Sequence, residues 1–411
     1  MPGKRHVEIA GAGLAGLTAA AALASRGWSV RVHEKGRELR EIGAGIYLWE
    51  NALRALEAVG AYDEVAAGGE VIHSPELRDH RHRLLQREWL RDGRLITIPR
   101  PALHAALVRA ARTAGAEIVT SSPVAGASEA GILELMDGTT LAADLVVGAD
   151  GVHSRVRETL GLTGTIVNLR DGCGRHLIPR TADDPVNIAM EQWNGGRRIG
   201  VVPSSPEWTY IFLCGPQSDL GCTQQQPFNR ETWITSFPHF RSQLERIPDM
   251  PEGRWAAFYD VTALGWYRGR AAIIGDAAHA MSPNLGQAAC MAMVNSVALA
   301  QALDRYRVPD ALALWERTEL PVTARVQRYS RLYGKVGTRW PDRLLDARSA
   351  LIWSLAKVKP VQRRIQFAAG YFPALDSGPR VVGLADAEGA DSGSAAADAG
   401  VTVPAAVRRV G

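Results

Sequence analysis

The sequence predicts an α/β protein of three-layer ββα build, carrying an inserted, mostly antiparallel sheet and a helical C-terminus. Three observations carry that reading. Near the N-terminus a short apolar run, 6–10, meets a glycine cluster, Gly11-Ala12-Gly13-Leu14-Ala15-Gly16, then an Ala/Leu-rich helical stretch and an alternating run, 29–34. That order is the strand–turn–helix–strand of a Rossmann-like unit. Residues 166–267 are of another kind: rich in aromatics and prolines, alternating in hydrophobicity and lacking long helical periods. The chain then returns to a buried-strand pattern at 271–275 and to helix at 286–303.

The remaining elements follow in order. The first helix spans 14–25, with Gly27 as its stop. A second helix spans 51–60, with Leu53, Leu56 and Val59 on its apolar face. Residues 71–97 are polar, Arg-rich and broken into short alternating pieces. Helix resumes over 101–115, with Leu103, Leu107 and Ala111 on one side. Residues 117–150 read as strands, with a hairpin turn at Asp137-Gly138. Two further helical stretches, 311–333 and 348–371, follow. The predicted organisation is a discontinuous cofactor-binding domain (1–70, 98–165 and 268–305) and a substrate domain (71–97 and 166–267). A helical segment, 306–375, comes next. The Ala/Gly/Asp/Ser-rich stretch 376–411 has too few large apolar residues to offset the entropy of ordering and is expected to be a disordered tail.

With 411 residues, 46 % of them hydrophobic, the chain is long enough for two or more domains. A net charge of +4 from 47 basic and 43 acidic residues is no nucleic-acid footprint. The cysteines, Cys173, Cys214, Cys222 and Cys290, show neither CxxC nor zinc spacing, so no metal is expected and free thiols are. The first strand begins within ten residues of the start, without a signal-peptide layout, and no apolar run is long enough for a membrane span. The expectation is a cytoplasmic protein.

The chemistry lies in three ordered motifs. Gly11 permits the tight turn, Gly13 lets backbone approach a diphosphate, and Gly16 lets helix pack on strand. The helix opening at Leu14 and Ala15 aims free N–H groups at that diphosphate. Glu34, beside Lys35 at the end of the second strand, is placed to accept hydrogen bonds from an adenosine ribose, which suits FAD or NAD and disfavours a 2′-phosphate. Asp150-Gly151 follows the apolar run 145–148, and Gly275-Asp276 follows Ile273-Ile274. Beyond them, Pro283, Leu285, Gly286, Gln287 and Ala288 form a loop opening a helix, whose N-terminus can stabilise charge on a reduced flavin. Arg100, between two prolines at a helix start, and Gly45 complete the expected contacts. Three sites in this order point to one long cofactor held at both ends and in the middle: FAD.

On these residues the chain resembles the single-component FAD-dependent aromatic hydroxylases, built like p-hydroxybenzoate hydroxylase. Gly11, Gly13 and Gly16, then Ala20 and Gly27, fit the family's extended fingerprint. Residues 149–157 and 275–279 resemble its Asp-Gly and Gly-Asp motifs. Within the family, 43–49 and 291–295 look most like 2-methyl-3-hydroxypyridine-5-carboxylate oxygenase. The resemblance implies a substrate-contacting Arg and Tyr twelve residues apart on a strand pair, which Arg198 and Tyr210 match, with Tyr47 near the pocket. It also implies NADH or NADPH as reductant, without a Rossmann site of its own, and O2 as oxidant. A flavin C4a-hydroperoxide would oxygenate a small aromatic or hydroxypyridine-type acid, with or without ring opening. Gly286-Gln287-Ala288 departs from the family's Gly-Gln-Gly, and Ser74-Pro75 stands where the pyridine oxygenase has a second substrate-contacting Tyr, so a related but different substrate is expected. A reductase or halogenase of the same fold is the alternative; the Trp-x-Trp-x-Ile-Pro segment of such halogenases is absent. The sequence leaves monomer and homo-oligomer open.

Overall fold

A computed structural model describes residues 4–39, 43–88, 90, 94–251 and 255–373, and the backbone of 380–381. Its centre is a six-stranded sheet in the order Tyr267–Arg268, Ala271–Ile273, Leu145–Gly148, His6–Ala10, Ser29–His33, Glu117–Val119. All neighbours are parallel except the edge strand Tyr267–Arg268. The near-continuous apolar runs of the central strands follow from burial on both faces. The helix Leu14–Ala24 packs between the sheet and the helices Arg100–Thr113 and Ala288–Arg305. Only Ala15 of its residues is not fully buried, and its six alanines let backbone approach backbone closely. A three-stranded antiparallel sheet, with its turn at Gly138 (φ +87°), contributes Ala127 and Leu133 to the same core. This is the expected ββα architecture.

A seven-stranded sheet follows the order Ala256–Ala263, Thr163–Pro179, Trp208–Pro216, Arg197–Pro203, Ile188–Asn194, Ser74–Arg78, Leu84–Arg87. It is antiparallel except where 188–194 runs parallel to 74–78. Because side chains alternate across a strand, each strand serves two interiors. Ile199, Val201, Ile211 and Leu213 join a core with Phe228, Trp233, Phe237, Phe240 and Leu244. Arg198, Val202, Tyr210, Phe212 and Cys214, of opposite parity, face the other way. The short helices Leu220–Thr223, Arg230–Ser236 and Arg241–Glu245 that supply part of the first core were not expected from the sequence. None exceeds two turns, so none shows a readable period.

The strand Gly45–Trp49 pairs with Leu95–Pro99, which also pairs with Glu70–Val71. At the C-terminus Val308–Thr338 is longer than expected and carries Pro321 internally. The expected helix 348–371 is two helices, Leu345–Leu355 and Lys359–Gln366; Pro360 lies in the first turn of the second, where its missing N–H costs no intrahelical bond. Within the expected tail, Arg380–Val381 pairs with Tyr371–Phe372, an ordered contact that composition does not predict; the rest of 376–411 lies outside the described residues. Among the described residues no helix is long and apolar enough to cross a membrane.

Candidate active site

The glycine loop is shaped as the motif requires. Gly11 has φ +102°, and a Cβ there would sit 2.5 Å from the Ala149 carbonyl oxygen. A Cβ on Gly16 would overlap the Gly11 carbonyl. Gly13 differs: nothing lies within 4 Å of its Cβ position, and it caps a helix with no side-chain cap and no acid in its first turn. The helix start thus carries neither a capping side chain nor an acid that would compete with a bound anion. Glu34 accepts from the Ala12 backbone N–H at 3.0 Å and from that of Gly36 at 2.8 Å, fastening the loop to the end of the second strand. His104 Nε2 meets the Ala12 carbonyl at 2.8 Å from the other side. Lys35 is exposed beside this loop.

The other two motifs are tied to it and to each other. Asp150 caps the helix Arg155–Thr159, accepting from Ser154 Oγ at 2.5 Å and from the Arg155 backbone N–H at 2.8 Å. The buried Arg157 donates to the Val152 and Ala277 carbonyls, both at 2.7 Å, and so joins the Asp-Gly segment to the Gly-Asp segment. Gly275 has φ +58°, and a Cβ there would approach Ala15 Cβ to 2.7 Å. Asp276 thus begins its short helix directly against the glycine-loop helix. The turn Pro283–Leu285 ends at left-handed Gly286 (φ +63°), after which Ala288–Arg305 starts with no acid in its first turn. Open backbone at Gly13 and uncapped helix starts at Leu14 and Ala288 fit a dinucleotide with an anionic middle and a flavin end.

Beside that turn lies a cavity of about 360 Å³. Gly43–Gly45, Tyr47 and Arg100 line it, as do Pro283–Ala288, and the seven-stranded sheet forms its wall. It brings together the expected Arg198, Tyr210, Tyr47, Gly45 and Arg100; Gly11, Gly13, Glu34 and Asp150 do not line it. The wall is ordered in rows by strand register. One row runs Cys173–Cys214–Arg198, the next Arg175–Phe212–Gly200–Glu191, the third Leu177–Tyr210–Val202. Gly200 is needed because its Cβ would overlap the Phe212 ring. Gly45 is needed likewise: a Cβ there would run into Tyr210, so this glycine seats the phenol ring.

The cations differ in their commitments. Arg198 is 1 % exposed. It donates to Asn284 Oδ1 at 2.5 Å and stands 3.6 Å from Glu191, whose other oxygen accepts from the Tyr333 hydroxyl at 3.0 Å. Arg175 has no carboxylate within ion-pair distance among the described residues. Its charged and polar neighbours are the Tyr210 phenol and the Cys173 and Cys214 thiols. Burial raises the Tyr210 and Tyr47 phenols above their ordinary range, so both are neutral donors at physiological pH. Burial also pushes Glu88, at the cavity edge, up to about 7; it accepts from Gln366 at 2.6 Å. Leu77, Ile365 and Ala369 line the outer, apolar part.

Sequence reasoning missed Arg175, Glu191, Phe212, Tyr333 and Asn284. Alternation on Trp208–Pro216 carries the signal for Phe212, two residues from Tyr210. Arg175 and Glu191 become visible only once register is known. Asn295 is a core residue that meets His279 and Thr323 at 3.1 Å. Pro75 lines the cavity where the second tyrosine is missing.

Comparison with known proteins agrees with this geometry. The FAD binding domain family matches residues 4–313. The probable 2-heptyl-3-hydroxy-4(1H)-quinolone synthase AqdB2 of Rhodococcus erythropolis is 39 % identical over 337 residues, covering 80 % of this chain and 87 % of its own. A 2-heptyl-3-hydroxy-4(1H)-quinolone synthase of Mycobacteroides abscessus is 35 % identical, covering 80 % and 91 %. A crystal structure of 2-methyl-3-hydroxypyridine-5-carboxylic acid oxygenase, in a point-mutant form, superposes with a TM-score of 0.80 at 36 % identity, covering 90 % of this chain and 97 % of that one. The chain belongs to the FAD-dependent aromatic hydroxylases and is a flavoprotein monooxygenase.

Proposed function

We propose that the protein is an NAD(P)H-consuming FAD monooxygenase that inserts oxygen from O2 into a hydroxylated N-heteroaromatic ring of hydroxypyridine or quinolone type. The observation that carries this is Arg175 with Tyr210: a cation without a carboxylate partner, beside a neutral phenol, on the wall of the cavity next to the 283–288 turn. Such a pair fits an anionic oxygen, either a ring oxyanion or a carboxylate.

Gly13, the N-terminus at Leu14, Glu34, Asp276 and the 283–288 turn would hold the FAD. When bound, that cofactor supplies the redox chemistry, taking a hydride from the nicotinamide and activating oxygen. The protein's share is orientation and electrostatics. Arg175 stabilises the ring oxygen as an anion, which enriches the adjacent ring carbon in electrons. The Tyr210 hydroxyl donates to the same oxygen and keeps its own proton. Arg198, held by Glu191 and Asn284, fixes the inner end of the cavity and adds positive potential. Phe212, Leu285 and Tyr333 exclude water. The outer lining of Leu77, Ile365 and Ala369 suits an apolar ring substituent, in keeping with the heptyl-quinolone named for two relatives. The cation at Arg175 suits equally the carboxylate named for the pyridine oxygenase.

The test is NADH and NADPH oxidation by flavin-loaded protein with hydroxypyridine carboxylates and 2-alkyl-4-quinolones, following oxygen uptake and product mass. A product heavier by one oxygen, or by two with an opened ring, supports the reading. Bound flavin with no acceleration by any member rejects this substrate class.

A further inference from the structure

We propose that Cys173 and Cys214 are an oxidation site for hydrogen peroxide, closing to a disulfide on the wall of the substrate cavity. The two residues are directly opposite each other on the antiparallel strands Thr163–Pro179 and Trp208–Pro216. Both line the cavity, so a small oxidant reaches them through it although the chains around them are buried. The Cys173 thiol donates to the Gly174 carbonyl at 3.2 Å, with Cys214 facing it across the strand pair, and Arg175 and Arg198 flank the two. A thiolate beside two guanidinium groups, next to a second thiol and open to a cavity, is the microenvironment in which a cysteine reacts. Burial alone would raise the Cys173 thiol, but the neighbouring Cys214 and the Arg175 charge hold it below its ordinary range. The other two cysteines lack this setting. The Cys222 thiol donates to Asp219 at 3.1 Å under the short helices, and that of Cys290 donates to the Gly286 carbonyl at 3.4 Å. No step of the proposed oxygenation uses either thiol of the pair.

The chemistry balances with hydrogen peroxide as the oxidant. The Cys173 thiolate attacks one peroxide oxygen, the O–O bond breaks, and sulfenic acid and hydroxide result. The Cys214 sulfur then attacks the sulfenic sulfur, its proton and the departing OH leaving as water. Two thiols lose two electrons in all, and one peroxide becomes two waters. Opposed cross-strand Cβ atoms stand about 4.5–5.5 Å apart, whereas a disulfide holds them at about 3.5–4.5 Å. Closure therefore draws the strands together by on the order of 1 Å at this row. Arg198, the register neighbour of Cys214 on its other side, moves with it. The relevance to turnover rests on the proposed function, since flavin-dependent oxygen reduction without a productive substrate releases peroxide.

The test treats the full-length, flavin-loaded protein with added hydrogen peroxide in the absence of reductant. Intact mass, thiol titration and peptide mapping are the readouts. All four cysteines start free. The expected result is loss of two thiols, a mass lower by two hydrogens, a 173–214 cross-link and full reversal by phosphine reductant. Cys214→Ser should form no bridge and leave a dimedone-reactive Cys173. Four persisting thiols, or oxidation that falls on Cys222 or Cys290 instead, would overturn the proposal. A second arm supplies NADH aerobically without substrate. The same cross-link, suppressed by catalase, supports the link to turnover. Bridging by added peroxide but not under NADH leaves the site standing and counts against the oxygen-activation reading.

Discussion

Replacing Glu34 tests whether the glycine loop is preorganised by its own chain before any cofactor arrives. Both carboxylate oxygens are engaged, one by the Ala12 N–H at 3.0 Å and one by the Gly36 N–H at 2.8 Å. Glu34→Gln keeps a single acceptor oxygen and turns an NH2 toward the other N–H, so one charge-assisted hydrogen bond is replaced by two opposed donors. Such bonds contribute about 1.5–3 kcal/mol, and partial exposure of Glu34 argues for the low end. About 1.5 kcal/mol is roughly a tenfold weaker FAD affinity. Glu34→Ala loses both bonds and any contact with the ribose, and about a hundredfold is expected. The assay is equilibrium binding of FAD to the apoprotein by flavin fluorescence, with circular dichroism to show that the fold persists. Unchanged FAD affinity in a folded Glu34→Ala protein would refute the reasoning, because neither loop bracing nor ribose recognition would then depend on this residue.

Arg175→Gln should raise the KM for an acidic or ring-hydroxylated substrate by about tenfold or more, with FAD retained, since a charge-assisted contact is lost; steady-state kinetics with flavin absorbance checks both. Arg198→Gln leaves Glu191 beside an uncharged neighbour, so it should lower Tm and substrate affinity, and adding Glu191→Gln should restore part of the Tm; thermal melts of the three variants decide. Gly45→Ala should displace the Tyr210 ring and lower kcat/KM while costing about 1–3 kcal/mol of stability from overpacking, read by kinetics and denaturant unfolding. Glu319 is fully buried, accepts from the Tyr371 hydroxyl at 2.8 Å, and burial pushes its carboxyl up to about 7. A carboxyl raised in the folded state binds more protons there, so its neutral form supports the fold near pH 4.5 and that support is lost as pH rises through 7. Glu319→Gln should therefore be more stable than the parent by about 3 kcal/mol at pH 8 and nearly equal to it at pH 5; urea melts at the two pH values measure it.

What could be read in the sequence and what could not divide along one physical line. Gly11 and Gly16 are legible because backbone contacts no other residue could make require glycine there, and a local requirement leaves a local signature. The cavity wall is the opposite case. Whether Arg175 faces the cavity or the helices depends on the parity of a strand 17 residues long, paired on both sides, with register shifts along one of them. A one-residue slip would send Arg175, Tyr210 and Arg198 into the core now filled by Ile211 and Leu213. Arg198 and Tyr210 were reachable through resemblance, but the resemblance carried residue roles and not their electrostatic company. Glu191 comes from a neighbouring strand and Asn284 from the 283–285 turn; the first balances the Arg198 charge and the second takes one of its N–H groups, while its Nε has no partner. What sets Arg175 apart is the lack of a carboxylate partner among the described residues, which leaves its charge for a substrate anion in the proposed reading. The charge assignment of the site thus follows from pairing across strands, the one level of structure that has no signature in a single stretch of chain.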